Sequence, residues 1–469
     1  MSDRELSYLS ATEAAALIRD GSLSPVELVT NALQRIEEVD PTLNCFCFTY
    51  PEEALDQARA AERAIAAGDD IGPLHGVPIA IKDLTPTKGK TTTFGSYAYR
   101  DWVPDDDALV VRRLCDAGGI MVGKTTTPEF AFSSLTDSPL WGITRNPWNP
   151  DHTPGGSSGG SAAAVVAECV PLAEGSDAGG SVRIPASHSG CVGLKPSSGR
   201  IPFEFLPTQF DYMCCHGPLS RTVADAALFL KLCQGPDERD LNSLSPAITV
   251  EVPPPSDVRG LRLALSIDLG YYRVDADVEA NTRAAADALA QAGAEIEPVE
   301  LGWTRAFNEA WWAYWGVFQA THFGRHLERW RDMIHPSVVA SMEEAHSMSA
   351  VDLMKTETVY TEAWNALRPI LERCDALLCP TEAIPAPTVD YDELGSMTDD
   401  TDGRHLSMDM TMQFNALKLP ALSVPSGFSS QGLPTGLQIV GRRFDDLTVL
   451  RIGAALEAVR PWRQHRPSL

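Results

Sequence analysis

Two short clusters in this chain combine glycine with serine: Gly155-Gly156-Ser157-Ser158-Gly159-Gly160-Ser161 and Gly175-Ser176-Asp177-Ala178-Gly179-Gly180-Ser181. Ser157 and Ser181, 24 residues apart, are the nucleophile candidates. A glycine-rich run ahead of a serine can aim successive backbone N–H groups at one point. The N–H groups of Ala178, Gly179, Gly180 and Ser181 would then form an oxyanion hole, where one donor is typically worth about 2.7–4 kcal/mol of transition-state stabilisation. A serine hydroxyl also needs a base. His152 and His188 stand in no pattern that pairs them with a serine, whereas Lys82 closes the apolar run Val77–Ile81. Burial disfavours the ammonium form, so an amine at a dry strand end gives up its proton more readily. The competing readings are plain: serines in tight turns, and a surface lysine. A phosphate loop is a poor fit, because the first cluster lacks the Gly-Lys-Ser/Thr ending.

The elements around these residues must bring them together. "GPLHGVPIAIKD" reads as a buried strand ending at Lys82. Ala108–Ala117 reads as a helix stopped by Gly118-Gly119, and "IMVGKT" as the next strand. Between the serine clusters a small-residue stretch, "AAAVVAECVPLA", is compatible with a helix and a strand that return the chain to its starting point. Upstream, residues from about 8 to 65 show helical periodicity, with Ser24-Pro25 as an N-cap and first-turn proline and Gly68 as a stop. Downstream, 235–258 reads as a surface linker, 280–375 as mostly helical, 385–410 as a polar loop, and the end as two strands and a helix. The aromatics of "WWAYW", 311–315, suit core packing or a hydrophobic substrate channel. The alternation predicts an α/β fold with covered sheet faces.

Composition limits the function classes. The chain has 469 residues and a formal net charge of −25, which repels nucleic acids and anionic membranes at long range. No stretch is long and apolar enough for a membrane span, and Met1-Ser2-Asp3-Arg4-Glu5 does not open a secretory leader. The ten cysteines show no C-x2-C pairing and do not cluster with histidines, so reduced thiols, a cytoplasmic location and no metal site are expected.

The motifs extend well beyond the two clusters. "GGSSGGSAAAVVAECVPLAEGSDAGGSVRIPASHSGCVGLKPSSGRI" closely resembles the signature of the amidase signature family, and "GPLHGVPIAIKD", "GKTTTPEF", "GITRNPWNP", "GPLSRTVADAA" and "GLPTGLQIVG" agree with it in order. The resemblance covers about residues 8–462. It implies one α/β/α domain over 1–469 with a large mixed sheet covered by helices on both faces. Within it, about 1–70 would be an N-terminal helical segment, 72–235 the signature core, and 260–469 the rest of the sheet with a helical insertion and substrate-channel elements. It also implies a Ser-Ser-Lys catalytic set without a cofactor: Ser181 as nucleophile, Ser157 as bridging serine reached through a cis peptide, and Lys82 as base. Ser158, Asp177 and Arg183 match supporting positions.

Departures from the family pattern are few. "GSDAGGS" stands for the common "GTDTGGS", Glu168 replaces a small residue, and Ile184 follows Arg183 where amidotransferases acting on charged tRNA carry glutamine. "LWGITRNPWN", "SDAGGSVRIPAS" and "LEAVRPWRQHRPSL" are most similar to nylon-oligomer hydrolases, aryl-acylamidases and urethane-cleaving amidases. In "PEFAFSS", Ala131 and Phe132 fall where relatives line the acyl pocket. The expected partner is a small apolar or aryl amide, ester or carbamate, with no nucleic acid and no membrane; a homodimer is left open. The alternatives are the amidase component of a glutamine-dependent amidotransferase and a catalytically dead binding scaffold. A dead scaffold requires loss of Lys82, Ser157 or Ser181, and all three are present.

Overall fold

The computed structural model describes residues 1–393 and 408–469. Eleven strands form one mixed sheet. In chain order they are β1 (Phe46–Thr49), β2 (Pro78–Lys82), β3 (Ile120–Thr125), β6 (Leu172–Asp177), β7 (Val192–Lys195), β8 (Cys215–Ser220), β9 (Arg262–Leu265), β10 (Glu295–Pro298), β11 (Ala376–Pro380), β12 (Ala421–Phe428) and β13 (Pro434–Gly441). Strands β4 (Asp137–Ser138) and β5 (Gly142–Ile143) make a separate small hairpin. The order across the sheet is β1-β3-β2-β6-β8-β7-β12-β13-β11-β9-β10. Strand β2 runs parallel to both β3 and β6, and β6 runs antiparallel to β8.

Side chains alternate across a strand, so each strand contributes to two cores. Ile79, Ile81, Leu172, Leu194, Leu422 and Ile439 pack on one face with residues of helices Leu109–Asp116, Val223–Cys233, Ala276–Gln291 and Asp446–Val459. Ala80, Val122, Ala173 and Leu219 face the opposite way, against helices Pro25–Leu43, Pro51–Ala67 and Gly159–Val166. Farther along the sheet, Leu377, Ala421 and Val440 meet the aromatic side of helices Ala306–Phe323 and Ala350–Arg373. Helices therefore cover both faces, as the motifs imply.

The expected helices near the amino end form with the expected ends. Ser24 caps Pro25–Leu43 by accepting from the N–H groups of Val26 and Glu27, and Gly68 ends Pro51–Ala67 in the left-handed conformation. The helical reading of residues 8–65 is corrected at Phe46–Thr49, which is edge strand β1, antiparallel to β3. Four residues are too short for a periodicity to declare itself. The 235–258 stretch lacks regular structure, as a linker should, but Val250 and Val258 are buried and Gln234 exchanges two hydrogen bonds with the Ile248 backbone. Of the expected polar loop 385–410, residues 394–407 lie outside the described residues. Its end does not behave as solvated loop: Met408, Asp409 and Met410 are buried.

Candidate active site

Lys82 is the last residue of β2, whose five side chains are all buried, and its own exposure is 0%. Its amine donates to Ser157 Oγ at 2.7 Å and to Ser176 Oγ at 3.0 Å. Burial pushes the lysine down to about 7, against the opposing pull of the Glu174 and Asp177 carboxylates. A neutral amine is therefore accessible near neutral pH, which an exposed lysine does not offer.

Ser157 follows a cis Gly156–Ser157 peptide bond. It sits just ahead of helix Gly159–Val166, whose eight residues are all buried. Small side chains let this helix lie against the sheet, and β6 then carries the chain back to Ser176 and Asp177. Ser158 Oγ links the two clusters directly: it accepts from the Ser176 N–H at 3.3 Å and donates to the Ser176 carbonyl at 3.2 Å. The Ser158 N–H donates to the Ser181 carbonyl at 3.1 Å. The two glycine-serine segments are thus tied together by the Ser158 hydroxyl and by one backbone bond.

Asp177 organises the second turn. Its carboxylate accepts from the Gly180 N–H at 2.8 Å and the Val182 N–H at 3.1 Å. Arg183 holds it in a two-pronged pair, with Nε at 3.0 Å from Oδ2 and Nη2 at 2.9 Å from Oδ1. Burial works to raise this carboxyl, but the Arg183 guanidinium overcomes it and holds Asp177 down at about 2. Arg183, fully buried, also donates to Gln438 Oε1 at 2.6 Å and to the Thr411 carbonyl at 2.8 Å. Asn415 Nδ2 donates to the Asp177 carbonyl and carboxylate. A buried ion pair costs heavily in desolvation unless its remaining donors and acceptors are satisfied, and here they are.

This network corrects one sequence expectation. The Gly180 N–H is already given to Asp177, so it does not stand free for an oxyanion. Among the described residues, the N–H groups of Ala178, Gly179 and Ser181 make no backbone or side-chain hydrogen bond. Gly179 must lack a side chain here: an added Cβ would lie 2.3 Å from Cζ2 of Trp311. Gly180 needs its glycine for another reason, a φ of +132°.

Ser157, Ser176, Asp177, Ala178 and Ser181 all line one narrow cavity. Its other walls are Leu84, Phe94, Phe130, Phe203, Phe205, Phe318 and Phe323, with Trp315 and Cys214. Ser181 is half-buried, and no hydrogen bond joins its hydroxyl to that of Ser157 in this structure. A second crevice opens on Ser181 from the other side, lined by Trp311, Trp312, Trp315, Met408 and Met412. Ala131 borders both spaces; Phe132 borders the crevice but not the aromatic cavity. Of the "WWAYW" aromatics, Trp311 and Trp315 are buried and also border these spaces.

Sequence reasoning missed the residues that approach from other elements. Ser176, Glu174 and His216 meet across the β6–β8 pair, and the phenylalanines come from segments as distant as Phe94 and Phe323. Ser176 lay in the second cluster and carried the one available signal, a hydroxyl beside Asp177. Among the described residues no group of three or more His, Cys, Asp or Glu is placed to hold a metal ion, and no helix is long and apolar enough to cross a membrane. All ten cysteines are unpaired.

Comparison with known proteins agrees with these motifs. Residues 27–450 match the Amidase family model. An acylamidase from Rhodococcus erythropolis is 39% identical over 473 residues, covering 100% of this chain and 99% of that protein. A component of the glutamyl-tRNA(Gln) amidotransferase from Chloroflexus aurantiacus is 35% identical over 491 residues, with 99% of each chain covered. The crystal structure of a bacterial aryl acylamidase of the amidase signature family superposes with a TM-score of 0.92 at 30% identity, covering 97% of both chains. With its motifs in order, its eleven-stranded sheet and a match over most of its length, the chain belongs to the amidase family of amide-hydrolysing enzymes.

Proposed function

We propose that this amidase cleaves small amides bearing an aromatic or apolar group, with Ser181 as nucleophile, Ser157 as proton bridge and Lys82 as base. The observation that carries the reading is the buried Lys82 amine, 2.7 Å from Ser157 Oγ, beside an aromatic cavity that Ser181 also lines. Neutral Lys82 accepts the Ser157 proton while Ser157 takes that of Ser181, which attacks the substrate carbonyl. The N–H groups of Ala178, Gly179 and Ser181 are the donors available to the oxyanion. Collapse of the tetrahedral intermediate breaks the C–N bond, and the proton returns through Ser157 to the leaving nitrogen. Water enters by the same relay and releases the acid from Ser181. Esters and carbamates present the same carbonyl and are further candidate substrates.

The cavity walls favour this substrate class over glutamine. Among the described residues lining the aromatic cavity there is no lysine or arginine to receive a free carboxylate, and the one charged group, Asp177, is paired to Arg183. The test is kcat/KM across nitroanilides, nitrophenyl esters, aryl carbamates, short nylon oligomers and glutamine. Turnover of the aryl and apolar amides supports the reading. Turnover of glutamine alone, with charged tRNA as acceptor, would replace it with the amidotransferase reading.

A further inference from the structure

Glu174 is a buried carboxylate directly behind the candidate base, and the relay described above does not use it. It lies on β6, two residues before Ser176, so the two side chains share a face of the sheet. Ser176 is paired in register with His216 of β8, which places the histidine on that face as well. The Glu174 carboxylate accepts from the Lys82 main-chain N–H at 3.1 Å and from Thr85 Oγ1 at 3.0 Å. His216 Nδ1 lies 2.8 Å from Glu174 Oε1. The rings of Phe203 and Phe205, both cavity walls, pack on the His216 ring at 4.5 and 5.7 Å. A continuous set of contacts therefore runs from the substrate cavity through His216 and Glu174 to the strand end that presents Lys82.

We propose that Glu174, braced by His216, is a positioning residue that fixes the end of β2 and sets the charge felt by the Lys82 amine. The inference rests on Lys82 being the base. The other charged or titratable groups facing this region are Asp177 of β6, Cys214 ahead of β8, and Lys124 of β3 with its partner Asp83. Asp177 is committed to Arg183, and Lys124 to Asp83 and the Thr85 carbonyl. Among these carboxylates of the described residues, Glu174 is the one whose side chain hydrogen-bonds Lys82, through the Lys82 main-chain N–H. Its negative charge favours the ammonium form of Lys82 and so holds back the neutral base. It thereby keeps the lysine from becoming an amine too weak to draw a proton from serine.

Glu174→Gln retains the reach to the Lys82 N–H and removes the charge; Glu174→Asp retains the charge and shortens the reach. The measurement is the pH profile of kcat/KM for a nitroanilide, with Lys82→Ala alongside. Expected for Glu174→Gln is a shift of the rising limb to lower pH by roughly one unit. Expected for Glu174→Asp, which also serves if the glutamine variant does not fold, is a lower kcat with the limb where wild type has it. A limb unmoved in folded Glu174→Gln, or moved equally in Glu174→Asp, would overturn the inference while an inactive Lys82→Ala leaves the lysine as base. Near-normal turnover by Lys82→Ala would instead remove the base assignment and this inference with it.

Discussion

Lys82 Nζ and Ser157 Oγ meet at 2.7 Å, and both side chains are at 0% exposure. Water does not compete for that contact, and the burial that excludes it is also the main force pushing the lysine down to about 7. The amine is active as a base only when neutral, so kcat/KM should rise with pH through about 7 and level off above it. Lys82→Ala should lose roughly 10²–10⁴-fold in kcat between pH 6 and 9. Steady-state kinetics across that range check both statements; a flat profile would mean that another group is the base.

Ser157 should matter in proportion to the leaving group's need for a proton. An amide nitrogen leaves only once protonated, whereas a nitrophenolate leaves readily on its own. Ser157→Ala is expected to lower kcat/KM for a nitroanilide by a larger factor than for the nitrophenyl ester of the same acid. Paired assays on one enzyme preparation give the ratio, and equal losses would contradict a bridging role.

The Asp177–Arg183 pair gives a prediction about stability. Removing the guanidinium leaves a buried carboxylate unpaired, so Arg183→Ala should cost about 3–5 kcal/mol in urea unfolding at pH 7. The pH sign follows from the depressed folded-state value of about 2. A lowered carboxyl contributes its stabilisation above the unfolded value, near 4, and loses it as pH falls toward 2. The stability gap between wild type and Asp177→Asn should therefore be widest above pH 5 and narrow as pH falls from about 4 toward 2.

Gly179 and Trp311 give a test of the oxyanion turn. A methyl group at position 179 would press on the Trp311 ring and displace N–H groups that must lie within hydrogen-bond reach of the oxyanion. Gly179→Ala is expected to lower kcat by roughly 10²-fold while the protein stays folded. Trp311→Ala in the same chain should restore part of it. Full activity in the single variant would place the oxyanion donors elsewhere.

These residues differ in how far the sequence exposes them. Lys82 was legible because its position after Val77–Ile81 forces the end of a strand into a dry interior. Ser157 and Ser181 were legible because glycine runs mark backbone turns. The commitment of the Gly180 N–H was hidden, since it depends on how Asp177 folds back over its own turn. Edge strand β1 was hidden by its length and by the helices around it. Glu174 and His216 were hidden because they meet only through the antiparallel register of β6 and β8, 42 residues apart in the chain. The aromatic cavity was the least legible part: its walls come from separate segments, and packing rather than any local pattern brings Leu84, Phe130, Phe205 and Phe323 together.

The most direct test of the central claim is covalent capture of the nucleophile. Wild-type protein is treated with a fluorophosphonate or phenylmethylsulfonyl fluoride, followed by intact-protein mass spectrometry and peptide mapping. One adduct per chain is expected, on the peptide containing Ser181, with loss of amidase activity in step with labelling. Folded Ser181→Ala should take up no adduct and lose at least about 10³-fold in kcat. Stoichiometric labelling at another residue, or full activity in Ser181→Ala, would contradict Ser181 as the nucleophile.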